Sequence, residues 1–204
     1  MDVTLGLILA GGRATRLGGV EKALVELAGA PLLDHAIRKM RPQCAALAIN
    51  ANGDFTRLAP FALPVIADDP PEFAGPLAGI LAGLEFAQRE LPEITDVVSL
   101  AVDTPFAPAD LVARLQSARR GPARIAVAAS GGRLHYAVAL WPVALADDLR
   151  RAVVKEGLRR VAHFADRHGV AVAEWPNEPS DPFFNVNTPE DLVRAQADFG
   201  RTQA

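Results

Sequence analysis

Short apolar runs rich in β-branched residues recur along the chain, and longer stretches of helical periodicity separate them. Parallel strands must be joined by long crossovers, and helices packed on the sheet supply them, so this alternation points to an α/β fold. Strands are predicted at residues 5–9, 45–50, 65–67, 97–102, 125–128, 138–141 and 170–175. Their near-continuous apolarity implies burial on both faces. Helices are predicted to begin near Pro31, Pro76, Pro108, Val143, Gly157 and Pro189, because proline in a first turn gives up no needed N–H donor. Proline-rich loops fall at 68–76 and 176–182, and no repeat or flexible linker divides the 204 residues, so a single domain is expected over 1–204.

Charge and cysteine content narrow the classes of partner. The formal net charge of -3 supplies no positive field for nucleic acid or an anionic membrane, so any phosphate must be held by local groups. Cys44 is the single cysteine, which excludes a disulfide framework and a paired-thiol metal site and suits a reducing cytoplasm. The opening MDVTLGLILAGG has neither a basic leader nor a cleavage site and is far shorter than a membrane span, so it is expected to be a buried strand.

That strand runs straight into Ala10-Gly11-Gly12-Arg13-Ala14-Thr15-Arg16-Leu17-Gly18-Gly19, followed by Lys22. Open α/β sheets bind ligands at the C-terminal ends of their strands. Gly11 and Gly12 let main-chain N–H groups converge on an anion, while Arg13, Arg16 and Lys22 add charge-assisted hydrogen bonds. A polyphosphate is the expected guest, a solvated turn the alternative. The spelling matches neither G-x-G-x-x-G nor the glycine-lysine-Ser/Thr of a P-loop, which disfavours a dehydrogenase and a P-loop NTPase.

Further polar residues are expected on the same rim. The strand at 97–102 ends in Asp103, a hard oxygen ligand suited to Mg²⁺, which takes one or two carboxylates plus substrate phosphates. Asp103 is the first choice for catalysis, with Lys22 and Arg16 beside it; an N-cap or Asx-turn aspartate is the alternative. Asn50 and Asn52 end the second strand and Asp68 the third, where they can read a base and ribose or simply bond local backbone. Gly75 and Gly79 open an apolar helix to close approach, and Thr188 and Pro189 start the last helix behind Asn185 and Asn187. Arg159 and Arg160 sit at a helix start, where an acceptor phosphate or solvent could meet them. The four histidines lack metal-binding spacing and receive no catalytic role.

LILAGGRATRLGGVEKAL resembles the opening signature of the nucleoside-diphospho-sugar transferase-like superfamily. NAN at 50–52, the aspartate of VIADD, GPLAGI from Gly75, DTPF from Asp103 and FNVNTPEDL from Phe184 narrow the resemblance to the molybdenum cofactor guanylyltransferase family. It implies a three-layer α/β/α Rossmann-like nucleotidyltransferase fold with a mostly parallel central sheet, its N-terminal half binding GTP and its C-terminal half the acceptor. By position, it implies that Leu9, Ala10, Gly11, Gly12 and Lys22 contact GTP and that Asn50 and Asp68 hold its guanosine part. Asp103 would bind Mg²⁺ and nucleotide, Asn185 and Asn187 would face molybdopterin, and Arg16 and Gly79 would belong to the same site.

The implied reaction is attack by the terminal phosphate of molybdopterin on the α-phosphorus of GTP. A molybdate-inserting protein and molybdoenzyme apoproteins or their chaperones are the implied protein partners. The family often has His-Pro where this chain has His135-Tyr136, which leaves acceptor contacts there open. Two rival functions keep the same motifs: a cytidylyltransferase with the same acceptor, and a non-catalytic carrier of GTP and molybdopterin.

Overall fold

In the computed structural model, residues 3–11, 21–69, 75–119 and 124–202 are described. The elements follow in the order β1 (Thr4–Leu9), β2 (Glu26–Leu27), β3 (Ala30–Pro31), α1 (Leu32–Met40), β4 (Ala46–Asn50), β5 (Val65–Ile66), α2 (Pro76–Glu90), β6 (Asp96–Ala101) and α3 (Leu111–Ala118). Then come β7 (Ile125–Ser130), β8 (Arg133–Pro142), α4 (Ala146–Arg150), α5 (Val161–Arg167), β9 (Val170–Trp175) and α6 (Pro189–Thr202).

Seven strands form one sheet in the order β5-β4-β1-β6-β8-β7-β9. Strands β5, β4, β1 and β6 run parallel, as do β7 and β9, whereas β8 is antiparallel to both neighbours. The sheet is therefore mostly parallel, and helices cover both faces. One core packs α1, α3 and α6 against the sheet through Leu32, Leu33, Ala36, Leu111, Leu115 and Ala195. The other packs α2, α4 and α5 through Leu77, Leu81, Leu84, Leu149 and Phe164. Buried β1, β6 and β7 carry the continuous apolar runs that this sandwiching requires, while β9 at the sheet edge alternates with exposed residues.

Three expectations shift. The helix expected near Pro108 begins at Leu111, and the one expected near Gly157 begins at Val161. The strand expected at 138–141 extends to Arg133–Pro142 and closes a hairpin with β7. Gly131 and Gly132 both have positive φ, at 54° and 75°, which a two-residue hairpin turn matching the strand twist demands. The first half of β8 is polar and partly exposed, so apolarity did not mark it, and the Gly131-Gly132 pair was the local signal that could have. Between Val127 and Ala128 the register jumps, from Val127 opposite Ala139 to Ala128 opposite His135, so β8 bulges at 136–138.

Candidate active site

The parallel strands β1, β4 and β6 lie side by side, so their C-terminal ends share one edge, and residues at and just beyond those ends line a cavity of about 920 Å³. Leu9, Ala10, Gly11, Lys22, Asn50, Asp68 and Asp103 all line it. Backbone bonds stitch these ends together: Ala10 N–H donates to Asn50 C=O at 2.8 Å, and Val102 N–H to Leu9 C=O at 3.1 Å. The carboxylates and amides therefore stand on anchored backbone.

Two polar groups face each other across the cavity. On the β4 side, Asn50 Nδ2 donates to Ile66 C=O at 3.1 Å and to Asp68 Oδ1 at 2.8 Å, while Asn52 Nδ2 donates to Asp68 Oδ2 at 2.7 Å. Asp68 N–H in turn donates to Asn52 Oδ1 at 2.9 Å. Asn50 and Asp68 are buried, so this closed set fixes the orientation of both side chains. Gly79 of α2 lies behind Asn50 and is not among the lining residues; a Cβ there would stand 2.2 Å from Asn50 Oδ1. Its missing side chain is what lets the helix approach β1 and β4.

On the β6 side, Lys22 Nζ donates to Asp103 Oδ2 at 2.8 Å and also to Asn187 Oδ1. Both members of the ion pair are mostly buried, with side-chain exposures of 17% and 11%. Asp103 Oδ1 has no hydrogen-bond partner, the one buried side-chain oxygen or nitrogen so placed among the described residues. A desolvated carboxylate oxygen without a donor is costly unless a cation or donor meets it when ligand binds. No group of three or more histidine, cysteine or acidic side chains that could cage a metal occurs among the described residues. A lone carboxylate fits a cation whose remaining ligands are water and phosphate oxygens.

Among the expected site residues, Gly12 and Arg16 lie outside the described residues. Asn187 reaches the site through Lys22, and Val186 N–H donates to Asp103 C=O at 2.9 Å, which docks the segment before α6 on the end of β6. Asn185 is half-buried in that segment and does not line the cavity. Thr188 Oγ1 accepts from Asp191 N–H, and Asp191 Oδ2 accepts from the N–H groups of Asn187 and Thr188, a reciprocal cap that sets where α6 begins.

A profile of the MobA-like NTP transferase domain matches residues 6–185. The molybdenum cofactor guanylyltransferase of Bradyrhizobium sp. (strain ORS 278) is 50% identical over 94% of this chain and 91% of its own. That of Rhodopseudomonas palustris (strain HaA2) is 52% identical over 93% and 89%. The chain belongs to the MobA-like NTP transferase family. Molybdopterin-guanine dinucleotide biosynthesis protein A of Archaeoglobus fulgidus, at 24% identity, superposes with a TM-score of 0.74 over 97% of this chain and 99% of that one, which shows a shared fold.

Within this family fold, the cavity has a lining pair that the sequence reading passed over. Arg57 donates through Nη2 to Glu21 Oε1 at 2.8 Å and through Nε to Glu21 Oε2, and Nη2 also donates to Asn52 C=O at 2.9 Å. The guanidinium thus ties the residue before Lys22 to the end of β4, as a bidentate fork can and an ammonium cannot. The Glu21 side chain beside it, through its hydrogen bond and then its charge, holds Arg57 above the ordinary arginine range against the opposing effect of burial. Arg57 sits in a 3₁₀ turn, Thr56–Phe61, whose entry is set by Asp54 Oδ1 accepting from Thr56 N–H and Oγ1. Bonds to Thr56 hold the Asp54 carboxyl below its usual range. Asp54-x-Thr56 was the local signal for this turn; nothing in the sequence paired Arg57 with a residue 36 positions earlier.

Proposed function

We propose that this chain is a molybdenum cofactor guanylyltransferase: it transfers GMP from GTP to the terminal phosphate of molybdopterin, giving molybdopterin guanine dinucleotide and pyrophosphate. The observation that carries the reading is the 2.8 Å contact between Lys22 and Asp103 on the wall of the cavity that Leu9–Gly11, Asn50 and Asp68 also line. An ammonium and a carboxylate with one unpartnered oxygen side by side are what a triphosphate and its cation need.

In the transfer, an oxygen of the acceptor phosphate forms a bond to the α-phosphorus, the bond from that phosphorus to the bridging oxygen breaks, and pyrophosphate leaves with the electron pair. The chain's own residues act by positioning. Asn50 and Asp68, locked to each other, present a rigid face to the guanosine end. Lys22, steadied by Asn187 as well as Asp103, directs its positive charge at the phosphates. Asp103 would hold a divalent cation, Mg²⁺, which when bound would neutralise phosphate charge. Gly11, just after β1, leaves room for phosphate against the backbone, and Gly12 and Arg16, which follow it in sequence, are proposed to contact the same phosphates. Asn185 and Asn187 stand on the acceptor side.

The same reading makes residues 1–204 one domain, its N-terminal half gripping nucleotide and its C-terminal half molybdopterin, working in the cytoplasm. A molybdate-inserting protein would supply the acceptor, and molybdoenzyme apoproteins or their chaperones would take the product. No described helix is long and apolar enough to cross a membrane.

The test is incubation with molybdopterin, Mg²⁺ and each nucleoside triphosphate in turn, followed by mass analysis of the product. A guanylyl adduct formed with release of pyrophosphate supports the reading. A cytidylyl adduct alone overturns the base, and GTP binding without pyrophosphate release overturns catalysis.

A further inference from the structure

Away from the cavity, the tip of the β7–β8 hairpin meets the segment before α6 at a second polar cluster. Ser130 Oγ donates to Asp181 Oδ1 at 2.7 Å and lies 2.8 Å from His135 Nε2. Asp181 Oδ1 also accepts from Phe183 N–H at 2.9 Å. With its proton committed to the carboxylate, Ser130 accepts from His135, which assigns the Nε2–H tautomer. Serine stands between carboxylate and imidazole, so the aspartate does not orient the histidine as a hydrolytic triad requires. Ser130 and His135 are buried, at 3% and 8% exposure. Burial is the leading cause holding the His135 imidazole below its ordinary range, which suits a neutral donor.

Packing reinforces the polar bonds. The His135 ring lies 4.9 Å from that of Phe183, whose edge meets Trp175 at 5.3 Å. A Cβ on Gly131 would approach Asn177 Nδ2 to 2.5 Å, so the hairpin tip sits flush on the same segment. From Phe183 the chain runs without regular structure to Asn187, and its next fixed points are Val186 N–H on Asp103 C=O and Asn187 Oδ1 on Lys22 Nζ. One end of this short span is anchored at the cluster and the other touches the ion pair of the site.

We propose that Ser130, His135 and Asp181 are positioning residues that hold the span from Phe183 to Asn187 against Asp103 and Lys22, and so set the acceptor side of the cavity. The proposal rests on the guanylyl transfer described above. Loosening the anchor leaves the guanosine-side set of Asn50, Asn52 and Asp68 in place, because its hydrogen bonds are made without Ser130, His135 or Asp181.

Three variants of the full chain test it: Asp181→Ala, Asp181→Asn and Ser130→Ala. Hydrogen exchange of the amides from 183 to 187 needs no substrate, and KM for molybdopterin is compared with the calorimetric Kd for GTP. Asp181→Ala removes the acceptor of two hydrogen bonds and is expected to speed exchange at Phe183 and Val186 by about tenfold and raise KM for molybdopterin by about tenfold. GTP binding should weaken less, by about threefold at most, because Lys22 keeps its 2.8 Å contact with Asp103 when Asn187 moves, a split that general destabilisation does not produce. Asparagine at 181 keeps the accepting oxygen and should restore both readouts to within about threefold. Ser130→Ala should fall between, and it carries both readouts if Asp181→Ala does not fold. Unchanged exchange in both alanine variants, an equal loss of GTP and molybdopterin affinity, or no rescue by asparagine overturns the proposal. A wild-type chain that forms no guanylyl adduct overturns the reaction instead, and exchange alone then decides the brace.

Discussion

Replacing Gly79 by alanine sets two effects of known size against each other. In a helix interior, alanine exceeds glycine by about 1 kcal/mol, so the change stabilises wherever there is room. Here the new Cβ would stand 2.2 Å from Asn50 Oδ1, 2.8 Å from its Cγ and 2.9 Å from Leu9 Cδ2. Asn50 cannot swing clear, because it is 4% exposed and its amide is tied to Ile66 C=O and to the Asp68 carboxylate. Losing a bond to a neutral acceptor costs about 1 kcal/mol and one to a charged acceptor about 1.5–3 kcal/mol, while backbone shifts that relieve overpacking cost about 1–3 kcal/mol. After the helix gain, breaking both bonds leaves a loss of about 1.5–3 kcal/mol and relief by backbone shift one of up to about 2 kcal/mol, equivalent to about 2–4 °C in Tm per kcal/mol for a domain of this size. Gly200 of α6 supplies the control, since a Cβ there meets nothing within 4 Å; Gly200→Ala should stabilise by up to about 1 kcal/mol. Urea denaturation of the two variants and calorimetry with GTP check the pair, and Gly79→Ala should also weaken GTP by about tenfold because Asn50 and Asp68 move together. A Gly79→Ala protein as stable as wild type, with unchanged GTP affinity, would refute the close-approach account.

Other consequences can be measured independently. Asp103→Asn removes the charge that pairs with Lys22 and holds the cation, and turnover is expected to fall by about 10² or more while the urea midpoint changes little; a variant within about threefold of wild-type turnover contradicts the assignment. Burial holds His135 and His168 below the ordinary value of 6.5, with the charges of Arg133 on the one and Arg124 and Arg167 on the other adding to it against nearby carboxylates. The unfolded chain therefore takes up these protons first as pH falls through 6.5. Stability should be full well above that value and decline as pH falls from about 7 towards 5, above most carboxylate titration, with His135→Gln giving a shallower slope; a urea midpoint that stays flat or rises as pH falls over that window rules this out. Burial beside Gly6 and Met40 pushes the Cys44 thiol up to about 12, so a disulfide reagent at pH 8 should label the native protein far more slowly than the urea-unfolded one, and equal rates would contradict that environment.

Much of the fold was legible because its signals are local. Apolar runs and proline starts placed β1, β4, β6 and α2 within a few residues, since burial on two faces leaves a continuous hydrophobic record in each strand. The rim position of Asn50, Asp68 and Asp103 followed from that, because a polar residue ending a buried parallel strand emerges at a common edge. The reading faltered where polarity and turn geometry rather than apolarity define the element, as in the first half of β8 and the late start of α3. Of the polyphosphate turn, Gly12 and Arg16 remain expectations from sequence.

By itself, the order of residues determined the α/β class, the glycine-rich exit from β1 and the family to which the chain belongs, all consequences of short-range pattern. Only the tertiary structure decided which side chains meet. Lys22 and Asp103 are 81 positions apart, Lys22 and Asn187 are 165 apart, and Ser130 reaches Asp181 across 51. Those pairings arise from strand order and from a hairpin that reverses β8, and no local propensity encodes them; a hydrogen bond forms at about 2.8 Å whatever the separation along the chain. The unpartnered oxygen of Asp103 belongs to the same class of fact, because burial without a donor is a property of the assembled surroundings and not of an aspartate.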